Sequence, residues 1–186
     1  ALTGSDSVAN YQQVLRTIRY DNTSPAPSPT TRVIQFVVND GVSASNVATS
    51  SVTITATNTG PTVTVPTAQS PSEDTLWVIN GISVSDPDIG SGIIQFSIIV
   101  GQGTLAVDVS VAGGVTAAEV SGNGSSSVVV TTTLAQLNNT LASTSGLTYL
   151  GTANASGIDT LAINVSDMVA TDTATVNLNI MPTNDA

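Results

Sequence analysis

Carboxylates beside predicted strand ends are the residues in this sequence best suited to chemistry. Asp86 and Asp88 are separated only by Pro87, so both side chains can point at one centre. Ca²⁺ takes six to eight oxygen ligands, from carboxylates, Asn side chains, backbone carbonyls and water. A distant aspartate, Asp167, and an asparagine between two strand-rich regions, Asn58, could complete such a set. Magnesium needs a stricter octahedron, so calcium is the first expectation.

The composition excludes several other chemistries. The 186 residues include 3 Lys+Arg, 13 Asp+Glu, no His and no Cys, for a formal charge of −10. Ser–His and Cys–His nucleophile pairs, zinc sites with nitrogen or sulfur ligands, and disulfides are therefore absent. Three arginines are too few for a phosphate-binding surface, so no nucleic-acid partner is expected. No apolar run reaches the length of about 18–20 residues that spans a bilayer, so no membrane insertion is expected.

The net negative charge lies entirely in the second part of the chain. Residues 1–60 hold three aspartates and the three arginines, whereas residues 61–186 hold ten acidic and no basic residues. Ten uncompensated carboxylates repel one another in a compact fold. Two interpretations stay open: an acidic, solvated surface, or a subset of carboxylates that converge on a cation. Asp at strand ends also forms Asx turns with its own backbone. We expect Asp40 to be such a hairpin residue, and Asp108 and Asp172 to be solvated or turn positions.

Short runs rich in Val, Ile and Thr, separated by Gly, Asn, Asp and Ser, predict an all-β, antiparallel immunoglobulin- or cadherin-like sandwich. The predicted strands are residues 33–38, 51–56, 62–66, 75–79, 93–100, 104–111, 127–132, 160–165 and 174–180. Helical spacing occurs twice, at Val8-Tyr11-Leu15-Ile18 and at Leu134-Leu137-Leu141. We expect N-caps at Asp6 or Ser7 and at Thr132 or Thr133, and both helices to pack on a core.

The two helical segments begin matching halves of an internal repeat. Tyr11 aligns with Leu137 at an offset of 126 residues, and Asp40 aligns with Asp167 at an offset of 127. The alignment predicts that residues 1–60 are the C-terminal half of one repeat, truncated, and that residues 61–186 are a complete repeat. Half a sandwich exposes an apolar face, so residues 1–60 should be unstable alone. Two alternatives stay open for this face: packing on the complete repeat, or pairing with a second chain in a homodimer through a sheet edge.

The order of the acidic motifs resembles the cadherin-like tandem repeats of large bacterial adhesins of the RTX type. Glu73-Asp-Thr followed by Ser85-Asp-Pro-Asp-Ile-Gly90 looks like a cadherin strand followed by its Asp-x-Asp loop. The segments ending at Asp40 and Asp167 look like the aspartate after the penultimate cadherin strand. Thr183-Asn184-Asp185 resembles the linker between consecutive cadherin domains. The resemblance covers essentially the whole chain.

The resemblance implies calcium bound between successive repeats. Asp86, Asp88 and Asp167 would form the ligand set at one pole, facing Asn58. Glu73 would belong to the opposite pole with Asn184 and Asp185, completed by a following repeat. Two departures from the family pattern reduce the expected number and affinity of ions to one well-formed site. The linker Thr57-Asn58-Thr59-Gly60 lacks the expected Asp, and the acidic Leu-Asp-Arg-Glu motif of the family has no counterpart before the strand predicted at residues 160–165.

Taken together, these features favour an extracellular, cell-surface or secreted module of a bacterial adhesin. Calcium would stabilise it as a spacer between adjacent repeats, and the parent protein would bind a cell-surface or polysaccharide target. The alternative is a carbohydrate-binding β-sandwich module, which needs exposed aromatic platforms. Trp77 and Tyr11, Tyr20 and Tyr149 fall instead at positions typical of a core. No catalytic activity is expected, since no aromatic-lined cleft accompanies the acids.

Overall fold

A computed structural model describes residues 4–184 and shows an all-β protein with two short α-helices. The chain forms two compact units, Ala1–Ala56 and Thr57–Ala186. Neither helix in the described part of the chain is long and apolar enough to cross a membrane.

The first unit contains one helix and one hairpin. Helix α1 is Val8–Leu15, and its N-cap Ser7 accepts a hydrogen bond from the Asn10 N–H, as the cap signal predicts. Strands β1, Arg32–Phe36, and β2, Ala48–Val52, pair antiparallel. None of residues 4–56 is buried, so the prediction that α1 packs on a core is wrong. Two strands without a second layer cannot enclose an apolar face.

The second unit is the β-sandwich that the sequence predicts. Its helix α2 is Leu134–Leu141, capped by Thr133, and a short 3₁₀ helix is Ala117–Glu119. The strands are β3 Thr62–Thr64, β4 Trp77–Val78, β5 Ser83–Ser85, β6 Ile93–Ile99, β7 Thr104–Val107, β8 Val120–Ser121, β9 Ser127–Thr133, β10 Leu147–Leu150, β11 Gly157–Ser166 and β12 Thr171–Ile180. They form sheets with the orders β12-β11-β6-β9-β8, β4-β10-β7 and β3-β5, with antiparallel pairing between neighbouring strands.

Side chains from all three sheets share one core in this unit. Phe96, Leu161 and Tyr149 are fully buried, and α2 contributes Leu137 and Leu141. Along β12, residues 176, 178 and 180 are buried and residues 177 and 179 are exposed, as the strict alternation predicts. The core therefore forms where the period-two pattern is strongest.

Most predicted strands are confirmed, with shifted ends. The strand predicted at residues 51–56 is Ala48–Val52, and the one predicted at 104–111 ends at Val107. Strands β5, β8 and β10 were not predicted. Each has two to four residues and owes its extended conformation to its neighbours in the sheet rather than to its own pattern.

The hairpins of the two units have the same register. Arg32 lies opposite Val52, and their counterparts at offsets of 127 and 126 residues, Asp159 and Leu178, also lie opposite each other. Helices α1 and α2 both have eight residues and begin 126 residues apart. Hairpin and helix thus recur in both units. The assignment of residues 1–60 and 61–186 to a half and a whole repeat stays a prediction.

Candidate metal centre

Asp86 and Asp88 lie together in the loop after β5, and each carboxylate has one anchored oxygen and one buried, unpartnered oxygen. Asp86 Oδ1 accepts the N–H groups of Asp88 at 3.1 Å and Ile89 at 3.0 Å, the Asx turn that an Asp at a strand end favours. Asp88 Oδ2 accepts the Thr59 N–H at 2.9 Å. Asp86 Oδ2 and Asp88 Oδ1 are buried and have no hydrogen-bond partner. The loop thus holds two carboxylate oxygens away from both water and donors.

This arrangement is electrostatically unfavourable in the absence of a cation. Burial raises the pKa of Asp86, and the neighbouring Asp88 raises it further, against the lowering effect of the two N–H donors. A buried oxygen of a charged group without a donor loses its hydration without replacement. A hard divalent cation would compensate both oxygens, because carboxylates are ligands that such cations prefer.

Asp167 is held differently, in the turn between β11 and β12. Its Oδ1 accepts the N–H groups of Val169 at 2.8 Å and Ala170 at 2.6 Å, and its Oδ2 accepts Asn58 Nδ2 at 2.7 Å. The N–H of Ala170, followed by the Asn58 amide, lowers the pKa of Asp167. Both oxygens therefore already have donors. The side-chain carbonyl of Asn58 is left to accept a further bond or to ligate a cation.

The segment Asn58-Thr59 connects the two acidic loops. Asn58 contacts Asp167 through its side chain, and Thr59 contacts Asp88 through its backbone N–H. The structure thus brings Asp86 and Asp88 together and joins Asp88 to Asp167 through two consecutive residues. Within residues 4–184, however, no three acidic side chains are grouped closely enough to hold a metal by themselves. Any ion here would depend on amide, backbone and water oxygens as well.

Glu73 is a further carboxylate with one anchored and one unpartnered oxygen, and it contacts the end of the described chain. Only 2% of its surface is exposed, its Oε1 accepts the Thr183 N–H at 2.8 Å, and its Oε2 is buried without a partner. Asn184 follows Thr183 directly and is exposed. Asp185 lies outside the described residues. Glu73 therefore contacts the segment that precedes Asn184, and the site expected from Glu73, Asn184 and Asp185 stays a prediction.

Three other aspartates have structural roles. Asp40 Oδ1 accepts the N–H groups of Val42 and Ser43, which confirms the expected hairpin turn, and the Ser43 N–H leads in lowering the pKa of Asp40. Asp108 caps an exposed turn, as expected for this position. The expectation of a solvated or turn position is wrong for Asp172, which lies half-buried within β12 and whose Oδ2 accepts the Val63 N–H of β3 at 2.9 Å. Asx geometry alone therefore does not identify a metal ligand in this protein.

A buried aspartate outside the sequence-based candidates, Asp159, anchors the turn between β6 and β7. Its carboxylate accepts the N–H groups of Gly101 at 3.0 Å, Gln102 at 2.8 Å and Thr160 at 2.7 Å. Burial, followed by the charge of Asp159, raises the pKa of Tyr149 to about 12. With three donors, Asp159 is a structural group rather than a ligand.

The aromatic side chains do not form a sugar-binding platform among the described residues. Tyr149 is fully buried, and Trp77 packs against the core with its indole N–H buried and unpartnered. Tyr20 is 45% exposed, which differs from the core position expected for it. The Tyr11 hydroxyl donates to the Gly4 carbonyl.

Comparisons with known proteins give structural similarity at low identity. No protein-family model matches the sequence, and no curated protein matches it. Domains 4 and 5 of the S-layer protein SbsC are similar at 17% identity with a TM-score of 0.38, over 82% of this chain and 58% of that one. SbsC domains 1–6 are similar at 19% identity with a TM-score of 0.42, over 84% and 17% of the two chains.

A third similar structure is an endo-fucoidan hydrolase of glycoside hydrolase family 107, at 15% identity with a TM-score of 0.36, over 87% and 20% of the two chains. The chain thus spans less than two thirds of each of these structures.

Proposed function

We propose that this chain is a module of a bacterial surface or secreted adhesin, a cadherin-like repeat that calcium stabilises as an extracellular spacer. The observation that carries the proposal is the pair of buried, unpartnered oxygens, Asp86 Oδ2 and Asp88 Oδ1. Backbone N–H groups fix the other oxygen of each carboxylate, so the pair is preorganised. Preorganised carboxylates that repel each other in the free protein form a site whose energy improves when a cation binds.

The linker contacts give calcium a mechanical role. Thr59 bonds to Asp88, and Asn58 bonds to Asp167, so the segment between residues 56 and 60 is tied to the acidic loops at two points. The Asn58 carbonyl, backbone carbonyls and water would complete the six to eight oxygens that calcium takes. An ion that engages both the loop and the segment restricts the torsions of that segment. The module would then act as a stiff joint.

Glu73 extends the same logic to the opposite end of the module. Its free Oε2 is buried beside the segment that continues to Asn184. One carboxylate and one amide are too few for calcium, so this half-site would need oxygens from an adjacent repeat. The proposal therefore includes neighbouring repeats of the same kind as the principal partners.

The test is a calorimetric calcium titration of the full chain after treatment with chelator. We expect heat of binding for the wild type and its loss in the double variant Asp86→Asn with Asp88→Asn. Asp108→Asn is the matched control, because Asp108 is a half-buried turn acid whose oxygens both accept hydrogen bonds from serine donors. A wild type that shows no binding heat and the same melting temperature with calcium and with chelator would overturn the calcium role. A magnesium titration gives the ion selectivity.

A further inference from the structure

Residues at equivalent positions of the two units differ sharply in burial. Val38 is 64% exposed, whereas its counterpart Val165 is fully buried. The segments Ile18-Arg-Tyr20 and Leu147-Thr-Tyr149 also align, at an offset of 129 residues. Ile18 is 56% exposed, whereas Leu147 is fully buried. Tyr20 is 45% exposed, whereas its counterpart Tyr149 is fully buried. The first unit therefore presents, in an exposed form, the apolar face that the second unit buries.

One strand accounts for much of this difference. In the second unit, β11 lies between β12 and β6. Residues Ala162–Ser166 of β11 pair with residues 95–99 of β6. The counterparts in the first unit are residues 35–39, which start in the last two residues of β1 and continue past its end to Asn39, where an isolated bridge joins Asn39 to Ala44. Within the described residues, β1 pairs with β2 and with no other strand. We call residues 35–39 the β1 edge.

We propose that the β1 edge is a strand-acceptor site, and that its occupant is the first half of a repeat of this kind, which supplies a strand with the pattern of β6. The added strand would run antiparallel to β1. Phe36 would lie opposite the equivalent of Ile98, and Val37 opposite the equivalent of Ser97, because Ile163 and Asn164 have these partners in the complete unit. The inference rests on the repeat organisation in the proposed function, and it does not depend on calcium.

The backbone of the hairpin leaves this edge available. Ser45 N–H donates to the Val38 carbonyl, and Asp40 N–H donates to the Ser43 carbonyl, so residues 38 and 40 direct their polar groups into the hairpin. Successive residues of a strand alternate in this direction, so Val37 and Asn39 direct theirs outward. An unpaired row of this kind is a template for another strand.

The chemistry of the face selects a strand like β6. Ile34 and Phe36 are half-buried and lie in one row with the exposed Val38. In the second unit, the equivalent row of β11 is covered, and the buried residues of the adjacent β6 are Ile94, Phe96 and Ile98. Two rows of large apolar residues side by side on one sheet face bury each other's surface and that of the opposing layer. A polar or charged strand would leave this row without apolar neighbours.

The experiment uses the full chain and a fluorescent synthetic peptide of residues 92–101, with lysines added at both ends for solubility. Binding is measured by anisotropy in the presence of chelator. We expect saturable binding, weakened about tenfold by Val37→Pro, which removes one outward N–H and adds a ring to the edge. Proline is tolerated on an open edge, and circular dichroism verifies that the variant stays folded. Val42→Ala, at a 93% exposed turn residue, is the control and should bind like the wild type.

Disulfide trapping tests the register, since the chain contains no native cysteine. Val37→Cys should crosslink to a peptide with Cys in place of Ser97, and much less to peptides with Cys two residues to either side. Equal crosslinking in all three registers, or binding unaffected by Val37→Pro, would refute the proposed site. Concentration-dependent dimers that exclude the peptide would assign the edge to a second copy instead and would also overturn the proposal. A calcium titration that fails while the peptide binds in register would leave this inference standing and reject the calcium role alone.

Discussion

Replacing Asp86 by Asn should reverse the sign of its effect on stability between calcium and chelator. In the variant, the amide oxygen can keep the two N–H bonds that Asp86 Oδ1 accepts, from Asp88 and Ile89. The amide nitrogen takes the position of the buried Oδ2 and becomes a donor beside the unpartnered Asp88 Oδ1. The substitution thus removes a repulsion and supplies a hydrogen bond, but it also removes a calcium ligand.

The size of each effect follows from the local environment. Two unit charges about 4 Å apart interact by about 1 kcal/mol in water and about 4 kcal/mol at an effective dielectric constant of 20. Asp86 is half-buried rather than fully buried, so the lower end applies, and we expect a gain of about 1 kcal/mol without calcium. For a unit of this size, that gain raises the melting temperature by about 4 °C. Calcium at 100 times its dissociation constant would stabilise the wild type by about 2.7 kcal/mol.

The assay is thermal unfolding of the wild type and the variant, followed by circular dichroism in a buffer with a calcium chelator and in a buffer with saturating calcium. We expect Asp86→Asn to melt above the wild type in chelator and below it in calcium. Asp167→Asn is the contrasting variant, because both oxygens of Asp167 already have donors. It places an amide nitrogen against the Asn58 amide and should cost about 1–2 kcal/mol in either buffer. If Asp86→Asn is destabilising in chelator, the two orphan oxygens are not a source of repulsion, and the reasoning fails.

Three further predictions concern positions away from this pair. Met168 has φ 74°, and the equivalent residue in the first hairpin is Gly41 at φ 93°. Glycine adopts this backbone conformation without strain, so Met168→Gly should raise the free energy of unfolding by up to about 1 kcal/mol, measured by chemical denaturation. A loss of stability would contradict this prediction. A Cβ on Gly101 would lie 2.7 Å from Asp159 Oδ1, in a carboxylate that three N–H groups hold in place. Gly101→Ala should therefore lower the free energy of unfolding by about 1–3 kcal/mol. An unchanged midpoint of chemical denaturation would be inconsistent with this anchor. Serine donors lower the pKa of Asp108, so the contribution of this carboxylate to stability is present above the unfolded pKa and is lost as pH falls through the folded pKa. The melting temperatures of the wild type and Asp108→Asn should therefore converge below about pH 4. A difference that stays constant with pH would refute the assignment.

The local parts of the fold were predictable because their signals lie within a few residues. Ser7 and Thr133 precede apolar residues at helical spacing, and each accepts an N–H three residues ahead. Apolar and polar residues alternate along the second half of β12, and buried and exposed positions alternate in the same way. The sequence does not predict strand β10, because its first three residues are buried on both faces of the strand and a period-two pattern does not develop there.

The sequence predicts which residues form the candidate site, but not which of their carboxylate oxygens have hydrogen-bond donors. The Asp-Pro-Asp spacing places two carboxylates in one loop, and the Asx turn that orients Asp86 is a local property. The donor to Asp88 is a backbone N–H 29 residues away, at Thr59. A backbone donor leaves no mark in a sequence, since almost every residue carries one. Which carboxylate oxygens stay unpartnered therefore emerges only from the tertiary arrangement.

The two hairpins separate what a sequence determines locally from what a partner supplies. Both have the same register, and both turns hold an aspartate whose Oδ1 accepts the N–H groups two and three residues ahead. One hairpin buries its apolar row and the other does not, so burial is not required for this backbone geometry. The turn and the pairing of its two strands determine the backbone geometry of the hairpin. Burial of the apolar row in the second unit depends in addition on the strand β6 beside β11. The first hairpin therefore keeps its register with one edge open, which is the condition for the strand addition that the peptide experiment measures.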